Sequence, residues 1–180
     1  MGVLLALVSS LTWGVSDFMG GLASRKAGPV HVLSVSYPAG AVVLTAIAIL
    51  VVPGQLSTEV LRWGASAGVV GAVAIGLLYA ALSRGPMGIV SPVTAVMAGA
   101  VPVLVGVSRG ESLSAFAVVG ILVAGLAVVL VSRETGEQAR IRASTLVLAL
   151  GSGAAIGAYL SLIGLAPVDS GVWAAVIGRW

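Results

Sequence analysis

Residues 64–107 read GASAGVVGAVAIGLLYAALSRGPMGIVSPVTAVMAGAVPVLVGV. Arg84 is the only charged residue in this stretch, and it sits in the punctuation SRGP (83–86) between two strongly apolar runs, 64–83 and 87–107. A helix rises 1.5 Å per residue, so about 20 apolar residues cross a bilayer core of about 30 Å. Both runs have that length. Pro86 stands at a helix start, where the N–H it lacks has no partner to lose. The stretch reads as two membrane-spanning helices joined by a tight turn.

Outward from this pair, runs of the same kind cover 2–24, 30–52, 113–132 and 144–166, and a further one opens near 170 and reaches Trp180. The expected fold is all-α, a polytopic transmembrane helical bundle of six spans plus the start of a seventh. A span that ends in mid-membrane leaves backbone groups without partners. The chain is therefore expected to be a truncated one, whose partner is the remaining C-terminal half of the same protein. Composition agrees with a lipid bilayer as solvent. Hydrophobic residues make up 59% and charged residues 8%, and mean hydropathy is +1.16, whereas a soluble domain carries about 25% charged residues. Runs this long exclude a β-barrel, whose strands alternate over about ten residues. The net charge of +3 comes from residues scattered singly between spans, which fits flanking charges and not a nucleic-acid partner. Cysteine is absent, so disulfides and thiolate metal sites are excluded. No basic leader and cleavage site precede the first run, so it reads as a retained span.

A shift of 143 residues lays the start of the chain over residues 144–171, pairing Leu5 with Leu148, Ser9 with Ser152, Gly14 with Gly157 and Gly21 with Gly164. A repeat of five spans is odd in number, so its second copy enters the membrane from the opposite side. Inverted repeats of this kind belong to transporters that alternate access about a central site.

The stretch 79–134 also carries a Tyr-x-Ala-Leu lead-in, the GP turn (85–86), PVL (102–104) and the GE-x-LS turn (110–114) before a Gly-rich helix. With the WG of the first span and DSGVW…R at 169–179, it resembles the EamA-type transporters of the drug/metabolite transporter superfamily. The resemblance implies two inverted five-helix halves, a central solute pathway, both termini cytoplasmic and a place in the cytoplasmic (inner) membrane. It divides this chain into a first repeat (1–133), a polar linker (134–143) and an incomplete second repeat (144–180). Basic residues point the other way. Arg25, Lys26, Arg84, Arg133, Arg140 and Arg142 lie in odd-numbered loops and only Arg62 and Arg109 in even ones, which places the N-terminus outside. Both orientations stay open.

Candidate site residues follow from helical faces. In the first span Leu4, Val8, Leu11, Val15, Phe18 and Leu22 form an apolar stripe. Ser9, Ser10, Trp13, Ser16, Asp17 and Gly20 lie opposite. Asp17 falls roughly 6 Å from the span's centre, too deep for its short side chain to reach water. An intramembrane carboxylate is a site candidate for solute binding or proton coupling; a structural anchor is the competing reading. The substrate pathway is expected to comprise Trp13, Ser16, Asp17, Tyr37, Tyr79, Ser91 and Thr94, aromatic rings stacking on a solute and hydroxyls orienting it. Glu111 reads as helix-end chemistry, with Ser112 or Ser114 capping the fifth span. Arg179 could meet an anionic solute or pair with Asp17. The expected function is secondary transport of a small metabolite or drug-like solute, most simply export. A structural or regulatory membrane subunit is the alternative. An intramembrane enzyme needs paired catalytic groups, and no second deep carboxylate or histidine joins Asp17. No cofactor or metal is expected, and no Gly-Lys phosphate loop for ATP-driven pumping occurs.

Overall fold

Each helix boundary is set by a residue that the adjoining turn requires. The structure, a computed structural model, describes residues 2–52, 54–133 and 141–180. Its helices are α1 (Gly2–Ala27), α2 (Pro29–Leu50), α3 (Thr58–Arg84), α4 (Met87–Ser108), α5 (Ala115–Arg133), α6 (Ala143–Ile163) and the short α7 (Trp173–Ile177), with a 3-10 turn at Val168–Ser170. Gly28 breaks α1 from α2 at φ 83°, and Pro29 opens α2, a left-handed residue followed by one pre-set for a first turn. Ser57 caps α3, its Oγ accepting from the Val60 N–H at 3.2 Å. α4 ends in a Schellman turn: Gly110, at φ 86°, donates to the Val107 carbonyl and Glu111 to that of Gly106, both at 3.0 Å. The turn folds the Glu111 carboxylate back against Gly106 of α4, and of the two serines expected to cap α5 it is Ser114 that accepts from the Ala117 N–H, at 3.2 Å. Residues 134–140 of the expected polar linker, Glu134, Glu137 and Arg140 among them, lie outside the described residues.

α2, α3, α4 and α6 are each long and apolar enough to cross a membrane. Their outer faces and those of α1 and α5 are apolar too. The whole stripe from Leu4 to Leu22 on α1 is exposed, and Phe116 on α5 is 92% exposed. Surfaces of this kind are stable only against lipid, so the chain is an integral membrane helical bundle. Among the described residues no strand occurs.

At the centre, α6 lies between α3 and α4. Lipid tails are as apolar as leucine, so helices in a membrane associate by close packing and hydrogen bonding, with small residues at the contact. On α3 the buried positions 60, 64, 67, 71, 74, 78 and 81 recur in alternating steps of four and three, the seam of a helix packed along its length. Gly153 and Gly157 on α6 meet the α4 backbone so closely that a Cβ at 153 would lie 2.5 Å from the Thr94 carbonyl, and one at 157 would lie 2.9 Å from that of Ala98. Two buried hydroxyls complete the layer. Ser152 Oγ of α6 donates to the Ala74 carbonyl of α3 (2.9 Å). Thr94 Oγ1 of α4 donates to the Ala149 carbonyl of α6 (3.2 Å). Gly64 and Gly68 of α3 do the same service for the C-terminal segment, Gly68 facing the Gly178 backbone. Further along α3 the small residues make no such contact: Ala72 is exposed and a Cβ at Gly76 would meet only Leu33 of α2.

The cross-links fix helix directions. Arg25, at the end of α1, donates from Nε to the Leu82 carbonyl (3.1 Å) and from Nη2 to that of Gly85 (2.7 Å), which α3 leaves without helical partners at its C-terminus. The start of α6 reaches the same place, Thr145 lying against Gly85. At the opposite end the α2–α3 link meets the α6–α7 link, the Gln55 N–H donating to the Asp169 carbonyl (2.9 Å). α1 and α6 therefore run in opposite directions.

Gly153→Ala should cost about 1–3 kcal/mol, the range for overpacking a filled contact, read as unfolding in mixed micelles. Gly120→Ala on α5, where a Cβ meets nothing, should be neutral or slightly stabilising because alanine favours helix. Equal effects at the two sites would contradict the α4–α6 contact.

Candidate functional site

α1 is wrapped less completely than α6. Its polar face, Ser9, Ser10, Trp13, Gly14 and Asp17, borders a cavity of about 870 Å³ between α1, α4, α6 and the end of α5. Ser91 and Thr94 look into it from α4. The hydroxyls are unequal, however. Thr94 is buried and committed to the Ala149 carbonyl, whereas Ser91 is only partly buried. Pro92, also on this wall, has no N–H for the Gly88 carbonyl. Gly88 lines the cavity as well.

On the other side of Trp13 and Asp17 lies a second cavity of about 330 Å³, walled by Thr12 and Ser16 of α1, Ser36 and Tyr37 of α2, Tyr79 of α3, and Arg179. A smaller space of about 70 Å³ adjoins it, where Tyr159 of α6 faces Trp13, Tyr37 and Arg179. Trp13 borders all three spaces. Backbone packing places these rings. Gly20 of α1 lies directly against the Tyr79 ring, leaving no room for a Cβ, and Gly71 of α3 gives the Tyr159 ring its place. Serine and threonine hydroxyls on α1 are partly satisfied by their own helix, Ser10 donating to the Leu7 carbonyl (2.9 Å) and Thr12 to that of Val8 (2.8 Å). They therefore present acceptor lone pairs outward.

All seven residues expected on the pathway border these spaces. Trp13 and Asp17 line both large cavities, Ser91 and Thr94 the wider one, and Ser16, Tyr37 and Tyr79 the narrower one. α1 extends to Ala27, which puts Asp17 about 4 Å from the helix midpoint. It is half-buried, and its environment is set by burial with no charged partner beside it among the described residues. Sequence reasoning did not assign Tyr159, Thr12 or Ser36, and left Arg179 without a place. One signal was present for Tyr159: the 143-residue shift lays it over Ser16. Arg179 is placed by the C-terminal segment and stacks over the Tyr37 ring, 4.6 Å from its centroid. Among the described residues no three His, Asp or Glu side chains come together to hold a metal ion.

The site is thus an aromatic and hydroxyl-lined space at mid-bundle depth, bordered by one acidic and one basic group, Asp17 and Arg179. Neither a curated protein nor a solved structure matches the chain. The model of the EamA-like transporter family matches residues 1–133. Those residues carry α1–α5 and all seven candidate pathway side chains, and the match spans most of the sequence, so the chain belongs to the EamA-like transporter family.

Proposed function

We propose that the chain is a secondary transporter that moves a small metabolite or drug-like solute across the cytoplasmic membrane, in the export direction, by alternating access of inverted repeats. One observation carries the reading: α6 spends its face on α3 and α4, while the corresponding face of the oppositely directed α1 stays open to cavities at mid-bundle depth. Ala149, Ser152, Gly153, Ile156 and Gly157 are buried; their counterparts under the 143-residue shift, Ala6, Ser9, Ser10, Trp13 and Gly14, line the wider cavity. A scaffold would have little reason to leave a carboxylate and an indole on such a face. Members of the family are transporters and not enzymes. In this reading residues 1–133 form the first repeat and 144–180 the start of a second, six helices cross the membrane, and the antiparallel course of α1 and α6 supports the inversion. Asp17 serves as the solute- or proton-handling group, and Trp13, Ser16, Tyr37, Tyr79, Ser91 and Thr94 shape the path.

The chain has no cysteine, which allows single thiols to report on the cavities. Ser9→Cys and Ser91→Cys should react with a membrane-impermeant maleimide in vesicles of one sidedness or the other. Val8→Cys and Val15→Cys, on the exposed apolar stripe, should not, because a thiol in hydrocarbon does not ionise. Unreactive thiols at both 9 and 91 would remove the hydrated path.

Function itself is read with the full-length protein in proteoliposomes loaded with amino acids, sugars or cationic drugs. Flux above protein-free liposomes is expected for at least one class. Asp17→Asn should lower it by about tenfold or more, the factor that 1.4 kcal/mol represents, with helix content unchanged. No movement of any solute, or an unaltered rate in the variant, would overturn the proposal.

A further inference from the structure

Three chain segments meet at the Gly85 turn. Arg25 of α1 bonds to the Leu82 and Gly85 carbonyls, and Thr145 of α6 lies against Gly85. The end of α3 therefore sits beside the start of α6, with Arg84 and Arg142 both exposed there. From this point the two helices run antiparallel, and a groove follows their line of contact on the outside of the bundle. Val73, Leu77 and Arg84 share one face of α3, and Ser144, Val147 and Gly151 one face of α6, at steps of three, four and seven residues. Gly151 deepens the groove: a Cβ there would meet only the Leu77 Cδ1, at 3.7 Å. Val73 and Val147 are 55% and 67% exposed beside it. None of these side chains borders the three cavities described above.

Length and charge name the occupant. Gly151 lies about 14 Å along the axis from Arg142, and Val73 about 16 Å from Arg84, against about 15 Å for one leaflet of the hydrocarbon core. The groove is thus one acyl chain long. It is apolar until it reaches two guanidinium groups, whose planar N–H fork matches a phosphate. Charges in the protein also sort by end. Arg25, Lys26, Arg84 and Arg142 lie at this end with no acidic residue among the described ones, whereas the opposite end carries Glu59, Glu111 and Asp169 beside Arg62 and Arg109. Glu134 and Glu137, outside the described residues, are matched in the sequence by Arg133 and Arg140. Basic residues between helices at a membrane surface suit anionic headgroups. We infer that the outer α3–α6 groove binds one anionic phospholipid, its phosphate on Arg84 and Arg142 and an acyl chain along Leu77, Val147 and Gly151. The site is separate from the transport path and holds whether or not the bundle moves a solute.

Lipid competition tests it. The purified chain is exchanged into detergent carrying equimolar phosphatidylglycerol and phosphatidylcholine, and the lipid it retains is counted by native mass spectrometry. One phosphatidylglycerol per chain should be retained, with phosphatidylcholine at background. Arg84→Gln and Arg142→Gln should each lower retention about fivefold, the factor that corresponds to about 1 kcal/mol per basic residue at an anionic surface. Arg84→Lys should keep part of it. Gly151→Leu, which fills the groove and leaves every charge in place, should lower it as well. Arg62→Gln and Arg109→Gln, at the opposite end, should leave it unchanged. Equal retention of the two lipids by the unaltered chain, which needs no variant to fold, would overturn the inference. So would a phosphatidylglycerol preference that survives the double change Arg84→Gln and Arg142→Gln, that falls equally in Arg62→Gln and Arg109→Gln, or that ignores Gly151→Leu.

Discussion

The contact on which the rest of the structure depends is the backbone approach of α6 to α4 at Gly153 and Gly157. Without water there is no hydrophobic gain in burying leucine against leucine, so dispersion across a close contact and a few hydroxyl–carbonyl bonds must hold the helices. Two such bonds flank this approach, Thr94 to Ala149 on one side of α6 and Ser152 to Ala74 on the other. In a bilayer each is worth about 0.6 kcal/mol on average, which is small beside the packing they orient. They fix the rotation of α6 about its own axis. That rotation in turn points Ile156 and Leu160 toward the wider cavity and Tyr159 toward Arg179.

Once α6 is fixed between α3 and α4, α1 has no equivalent place. It leans on α3 through Gly20 and Gly21, against Tyr79 and Leu82, and is pinned at its end by the two Arg25 bonds. Beyond Gly20 its polar face borders the two cavities, and a Cβ at Gly14 would touch nothing. The open space beside α1 is thus a consequence of where α6 sits. The same residues that close the centre of the bundle keep one face of one helix free.

Most of the fold was legible because it is written in run length and punctuation. SRGP, the Gly28–Pro29 break and the SRGESLS turn place helix ends within a few residues of where they fall, since a membrane leaves the chain few other options. The face of α1 was legible as well, because helical periodicity sorts Asp17 from the Leu4–Leu22 stripe whatever lies beside it. What the sequence could not show was which helices meet. Thr94 looks like a free hydroxyl until α6 takes it, and nothing local to Glu111 shows that its carboxylate lies back against Gly106. Arg179 could be listed beside Asp17, but only the approach of Gly178 to Gly68 puts it over Tyr37. Pairing of this kind depends on distances between elements far apart in the chain, and periodicity carries no information about those.

The comparison of α1 with α6 also bears on what Asp17 is for. Under the 143-residue shift Asp17 falls on Leu160, and Leu160 lines the wider cavity too. The two positions therefore face one space from helices running in opposite directions, one with a carboxylate and the other with an aliphatic chain. If the residue served only to anchor α1, the energetically easier choice at that depth would be the leucine that α6 uses, since apolar side chains are favoured and Asp costs about 2.5–3.5 kcal/mol at a span's centre. Among the described residues no basic side chain pairs with it to recover that cost, and Arg179, which borders the narrower cavity with it, stacks on the Tyr37 ring. That uncompensated cost is the physical support for the solute- or proton-handling role proposed for Asp17.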